Sequence, residues 1–231
     1  MRKNDATSLL QWYQACRRRF GHQQWWPGET PFEIMVGAIL TQNTNWTNVE
    51  KAIAGLKKAD LLSIPALSSA APGRIAEVIR PVGYFNLKAE RLKYFVNWLM
   101  KKCGGDLDRL GNADCRALRS DLLTVKGIGP ETADSILLYA LGQLTFVCDA
   151  YTGRILFRHG MIEPRTSYAE TQTLFESHLP DEIDLYQDFH AQLVQVGKHH
   201  CRRRAQCNHC PLNEFRHCAN SSWPGWKTGN S

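Results

Sequence analysis

The chain is expected to be all-α, because apolar residues recur at helical spacing along most of its length and breakers fall at intervals suited to short helices. The strand-like run it offers, Leu144-Thr145-Phe146-Val147, is too short to found a sheet.

The elements follow in order. Met1-Arg2-Lys3-Asn4-Asp5 leads into a mixed polar and apolar segment with no signal-like apolar region. No apolar run approaches the roughly 18 residues that cross a membrane. A cytosolic, nucleoid-associated protein without a membrane partner is the expectation. Phe32, Met35, Val36, Ala38, Ile39 and Leu40 then share one broad face. Val49, Ala52, Ile53 and Leu56 repeat at three and four, as do Leu92, Phe95, Val96 and Leu99. Ile136, Leu137, Ala140 and Leu141 continue the pattern in a helix that Pro130 opens and Gly142 closes. Breakers at Pro27-Gly28, Pro65, Pro72-Gly73, Pro81 to Gly83, Cys103-Gly104-Gly105 and Pro164 divide the chain into about nine or ten helices. The polar end, residues 219–231, is expected to be disordered.

With 231 residues, 43% hydrophobic and 22% charged, the chain can bury a sizeable core as one large domain or two small ones. Its net charge of +6 is mild but clustered, in Arg17-Arg18-Arg19 and Arg202-Arg203-Arg204. Charge alone leaves two readings open, a polyanion partner or a solvated basic face.

Eight cysteines in a reducing compartment do not read as a disulfide framework. Cys16, Cys103, Cys115 and Cys148 are scattered and read as core or surface thiols. Cys201, Cys207, Cys210 and Cys218 are spaced C-x5-C-x2-C-x7-C, close enough to wrap one tetrahedral metal centre or one cubane cluster.

Val125-Lys126-Gly127-Ile128-Gly129-Pro130-Glu131-Thr132 reads as a glycine-hinged turn opening a helix. Such a turn offers backbone N–H groups to a phosphate and so grips nucleic acid without reading its sequence. A dinucleotide fingerprint fails, because Thr132 stands where the third glycine belongs and the preceding segment looks helical. A P-loop fails for want of its Gly-Lys-Ser/Thr ending. A plain turn between helices stays open. Asp149, eighteen residues after Glu131, is either an N-cap for a helix over Tyr151 to Leu156 or a working carboxylate, and both roles can hold together.

The run Leu123 to Asp134 resembles the helix-hairpin-helix of the endonuclease III-like DNA glycosylase superfamily, and Asp149 stands where that superfamily keeps its catalytic aspartate. The resemblance extends over nearly the whole chain: Ile39 to Thr44 is similar to the superfamily's first helix and loop, and Val82 to Ala89 to its glycine-asparagine-lysine segment. Within it, the 3-methyladenine DNA glycosylase III branch shares Trp25-Trp26-Pro27, Leu40-Thr41-Gln42-Asn43-Thr44, the Gly-Pro-Glu-Thr-Ala-Asp version of the hairpin, and Phe189-His190.

The resemblance implies two helical domains, residues 31–142 with the hairpin, and 1–30 plus 143–218 with the cysteine loop. Bifunctional members place an amine nucleophile two residues after the second hairpin glycine, where this chain has Glu131. A carboxylate cannot form an imine. The reaction implied is hydrolytic release of an alkylated purine such as 3-methyladenine, with Asp149 stabilising an oxocarbenium-like sugar. Trp46 would stack on the extruded base, with Trp25, Trp26 and Pro27 shaping the pocket and Lys198 near it, although tryptophans also serve as core and Lys198 can equally face phosphate. Glu131 would favour a cationic base, or simply the positive end of its helix.

Gln42 and Tyr84 match positions that fill or wedge the opened duplex, and read otherwise as a capping glutamine and a surface tyrosine. Lys126, Gly127, Gly129, Arg202, Arg203 and Arg204 would face phosphates. Many endonuclease III relatives carry a [4Fe-4S] cluster on cysteines spaced C-x6-C-x2-C-x5-C; here the first interval is shorter and the last longer. A [4Fe-4S] cluster with a structural role is expected, and zinc is the alternative, given His199, His200, His209 and His217. The partner implied is double-stranded DNA with a damaged base, bound by a monomer. Two rivals stay open: a glycosylase for oxidised pyrimidines or uracil and thymine mismatches, and a non-catalytic helix-hairpin-helix DNA-binding module.

Overall fold

The computed structural model describes residues 5–215 and 222–226, with side chains from residue 8 onward. Among them there is no strand, and no helix is long and apolar enough to cross a membrane. Twelve α-helices account for the order: α1 (Asp5–Phe20), α2 (Pro31–Leu40), α3 (Trp46–Lys58), α4 (Ile64–Ser69), α5 (Pro72–Val78), α6 (Phe85–Cys103), α7 (Asp108–Gly111), α8 (Cys115–Leu123), α9 (Pro130–Ser135), α10 (Ala150–Arg158), α11 (Tyr168–Glu176) and α12 (Ile183–His199). The chain divides into two compact units, residues 26–143 and residues 1–25 with 144–231.

In the first unit the apolar faces seen in the sequence meet in one core. Met35, Val36, Ile39 and Leu40 of α2, Val49 and Leu56 of α3, and Leu92, Phe95, Val96 and Leu99 of α6 are all completely buried. Local chemistry fixes the helix starts. Thr30, Asn45, Ser63 and Asp114 each accept a hydrogen bond from a backbone N–H in the first turn of α2, α3, α4 and α8. Pro130 opens α9 as expected, but the helix widens into a π-type turn over Ile136–Ala140 before Gly142, at φ +60°, ends it.

The second unit packs α1 and α10 against α12. Its centre is aromatic, with Phe146 stacked on Phe175 at 3.9 Å and Phe189 edge-on to both. The strand-like run before α10 has no neighbouring strand. Side chains of α11 take that place: Glu176 Oε1 accepts the Phe146 N–H at 2.9 Å and Gln172 Nε2 donates to the Phe146 carbonyl at 2.8 Å. Of the tail expected to be disordered, residues 222–226 are described, with Trp223 edge-on to Trp226 and both against Gly153. The rest of that tail, residues 219–221 and 227–231, lies outside the described residues.

Gly197 on α12 marks the closest approach of that helix to α10. A Cβ there would stand 2.3 Å from the Tyr151 ring. Gly197→Ala is therefore expected to destabilise the protein by about 1–3 kcal/mol, read as a lower urea midpoint. An unchanged midpoint would contradict this packing.

Candidate active site and nucleic-acid interface

The hairpin runs from the end of α8 through Thr124–Gly129 into α9. Val125 accepts from the Ile128 N–H at 3.0 Å, which closes the turn, and Gly129 accepts from the Ala133 N–H at 2.9 Å, which starts the helix. The two glycines differ in kind. Gly127 sits at φ +90°, and a Cβ on it would meet the Arg91 side chain at 2.5 Å, so the fold itself requires glycine. Gly129 has an ordinary φ of −98° and open space where a Cβ would stand. Nothing within the protein demands a glycine there.

Gln42 fastens the loop after α2 to this turn. Its Nε2 donates to the Gly127 carbonyl at 3.0 Å and to Thr132 Oγ1 at 2.9 Å, and its Oε1 accepts from Arg91. Beneath the hairpin, fully buried Asp134 forms a two-point pair with Arg119, at 2.6 Å and 3.0 Å. Asp134→Ala leaves the guanidinium without this partner in a partly buried place. A loss of about 3 kcal/mol in a denaturant titration is the expected result, and a change below about 1 kcal/mol would contradict it.

Lys126 is exposed, with Nζ 5.3 Å from the Tyr94 ring centre, and Glu131 is exposed in the first turn of α9. Tyr84, at the start of α6, adopts the left-handed conformation (φ 45°, ψ 34°) while 73% exposed. A tyrosine held there costs about 1–2 kcal/mol, and packing does not explain it.

Trp26, Pro27 and Trp46 line one cavity with Glu33, Gly37, Glu50 and Ile53, enclosing about 250 Å³ open to solvent. Trp26 stands edge-on to Trp46 at 5.2 Å and lies 5.2 Å from Tyr139. Trp46 Nε1 donates to Glu50 at 3.0 Å, which fixes the indole plane. Glu33 is answered by Lys57 at 2.9 Å. The sequence reading missed both carboxylates, although Glu50 lies one helical turn from Trp46 and that spacing was a usable signal.

The other unit holds Asp149. Its Oδ1 caps α10, accepting from the Thr152 N–H at 2.8 Å and Thr152 Oγ1 at 2.9 Å. Its Oδ2 lies 3.9 Å from His190 Nε2, and the side chain is 14% exposed. Burial pulls the His190 pKa below its ordinary value, against the pull of the Asp149 charge, so a neutral imidazole is favoured beside the carboxylate. Trp25 falls in this unit, apart from Trp26, with Lys198 Nζ 5.3 Å from its ring centre.

Cys201, Cys207 and Cys210 line a second cavity with Arg158, His159 and His200; Cys218 lies outside the described residues. Buried Arg158 donates to Cys201 Sγ at 3.2 Å and to the carbonyls of Arg202 and Arg203 at 2.7 Å and 3.1 Å. Arg154 holds the Cys201 carbonyl at 2.7 Å. The side chains of Arg202, Arg203 and Arg204 are exposed. Among the described residues no three ligand-type side chains converge on one ion. Three thiols around one cavity, with a guanidinium on one of them, nevertheless suit a soft, anionic group larger than a single ion.

Residues 36–181 match the model of the HhH-GPD superfamily of base excision DNA repair proteins. The chain belongs to that superfamily. A Methanocaldococcus jannaschii protein, named provisionally as a DNA repair glycosylase, is 43% identical over 93% of this chain and 98% of its own length. A solved H. pylori 3-methyladenine DNA glycosylase, bound to 1,N6-ethenoadenine, is 28% identical, with a TM-score of 0.71 over 84% of this chain and 97% of that one. An endonuclease III–DNA complex shares the fold at a TM-score of 0.78, with 19% identity over 93% of this chain and 95% of that one. As an HhH-GPD member the protein is a DNA glycosylase of base excision repair, and DNA is its partner.

Proposed function

We propose that the protein hydrolyses the N-glycosidic bond of a flipped-out alkylated purine in double-stranded DNA, with 3-methyladenine as the representative substrate. The observation that carries this reading is Asp149, whose Oδ1 is engaged in capping α10 while Oδ2 is left beside a neutral imidazole. Support for the base comes from the aromatic cavity with two carboxylates and from the H. pylori relative named for 3-methyladenine.

An N3-alkylated adenine is cationic, so its departure with the bonding electron pair neutralises it and needs little general acid. Positive charge develops on the sugar instead. The Asp149 carboxylate stabilises that charge, and water attacks C1′ and gives up a proton to the carboxylate or to solvent. Glu131 replaces the amine that a lyase step would need, so the strand stays uncut.

Gly129, free of any internal need for glycine, lets a phosphate approach the hairpin N–H groups, with Lys126 alongside and Arg202, Arg203 and Arg204 on the cysteine loop. Exposed, strained Tyr84 acts as a wedge in the opened duplex. Gln42 enters the gap only after giving up its three bonds within the protein. A [4Fe-4S] cluster on Cys201, Cys207, Cys210 and Cys218 holds this basic loop in shape, and a monomer suffices. Release assays on duplexes carrying alkylated purines, oxidised pyrimidines, or uracil and thymine mismatches test the substrate. Alkylated purine should leave fastest, and faster release of either other class would overturn the assignment.

A further inference from the structure

Lys88 on α6 is 1% exposed, and no carboxylate pairs with it among the described residues. Its Nζ donates to the Leu40 carbonyl at 2.9 Å and to the Val82 carbonyl at 2.8 Å. Burial, with a smaller push from Arg91, lowers its pKa to about 8. An unpaired buried cation is costly. The two carbonyls explain where that cost is offset. Leu40 ends α2, whose last carbonyls lack helical partners and carry the negative end of the helix dipole. Val82 ends the short 3₁₀ turn Arg80–Val82.

Each carbonyl stands two residues before a side chain that the proposed function sends into the duplex, Gln42 in one loop and Tyr84 in the other. We infer that Lys88 is a positioning residue: its buried ammonium ties the Gln42 loop to the Tyr84 loop, and so sets the spacing of the two groups that occupy the opened duplex. The inference rests on the wedge reading of Tyr84. Lys88 touches neither DNA nor the base in this scheme and acts through the backbone of both loops.

The test compares full-length wild type with Lys88→Met, which keeps the stem and removes the ammonium, and with Tyr84→Ala as reference. Affinity is measured for an undamaged duplex and for one carrying a tetrahydrofuran abasic analogue. A lost stacking contact is worth about 1–3 kcal/mol, so both variants should bind the abasic duplex about tenfold or more weakly and the undamaged duplex nearly as wild type does. The double variant should lose less than the sum of the two, since both changes disable one device. A loosened fold would instead weaken binding to both duplexes together, which would overturn the inference. So would a Lys88→Met variant that binds both duplexes like wild type while Tyr84→Ala is impaired. An unimpaired Tyr84→Ala variant would overturn the wedge reading itself, and the inference with it. Lys88→Gln, which retains one amide donor, should fall between; failure of both Lys88 variants to fold would assign the ammonium to stability alone and overturn the proposal.

Discussion

Asp149→Asn is expected to slow base release by about 10²–10⁴-fold while leaving duplex affinity near the wild-type value. The substitution separates the two duties of this side chain. An asparagine carbonyl oxygen can still accept from the Thr152 N–H and hydroxyl, so the cap on α10 survives. What disappears is the negative charge facing the sugar. Asp149→Ala removes both, and should add a loss of about 1 kcal/mol in stability. Single-turnover release from methylated duplex DNA reads the first effect, and a denaturant titration reads the second. An asparagine variant with full activity would remove Asp149 from the chemistry and leave it as a cap.

Cys207→Ala should abolish the iron–sulfur chromophore. Anaerobically purified wild-type protein is expected to absorb near about 400 nm and to contain iron and sulfide, and the variant to lose all three. Because ligand binding contributes to folding when the site exists only in the folded chain, the variant should also unfold at lower denaturant. Arg154 and Arg158, which hold the loop through Cys201 and the carbonyls of Arg202 and Arg203, then have less to hold. Colourless wild-type protein with one zinc per chain would contradict the cluster.

Periodicity made the helices legible, and cap chemistry made several of their starts legible. Pro130 and Asp149 each open a helix where their residue types indicate. The π-type widening after Ser135 has no comparable signature, because it answers to packing around α2 and not to local propensity. Leu144 to Val147 carried strand propensity, but α11 satisfies its backbone with side chains more than twenty residues away in sequence, so propensity alone misleads there.

The site divided in the same way. Cysteine spacing and the hairpin glycines could be read directly. The bonds of Gln42 could not, since they span 85 and 90 residues. Lys88 was hidden for another reason: lysine is a surface residue by default, and only the two carbonyls facing it make an interior place tolerable. The difference between Gly127 and Gly129 was equally invisible, because identical letters conceal one strained φ and one open approach.

The most direct test of the proposed chemistry is a single-turnover reaction of wild-type protein with duplex DNA carrying 3-methyladenine, run with and without borohydride. The expected products are free 3-methyladenine and an abasic strand that breaks only on later alkali treatment, with no protein–DNA adduct. A borohydride-trapped adduct, or a strand cut by the enzyme itself, would contradict hydrolysis assisted by Asp149 and reveal an amine nucleophile.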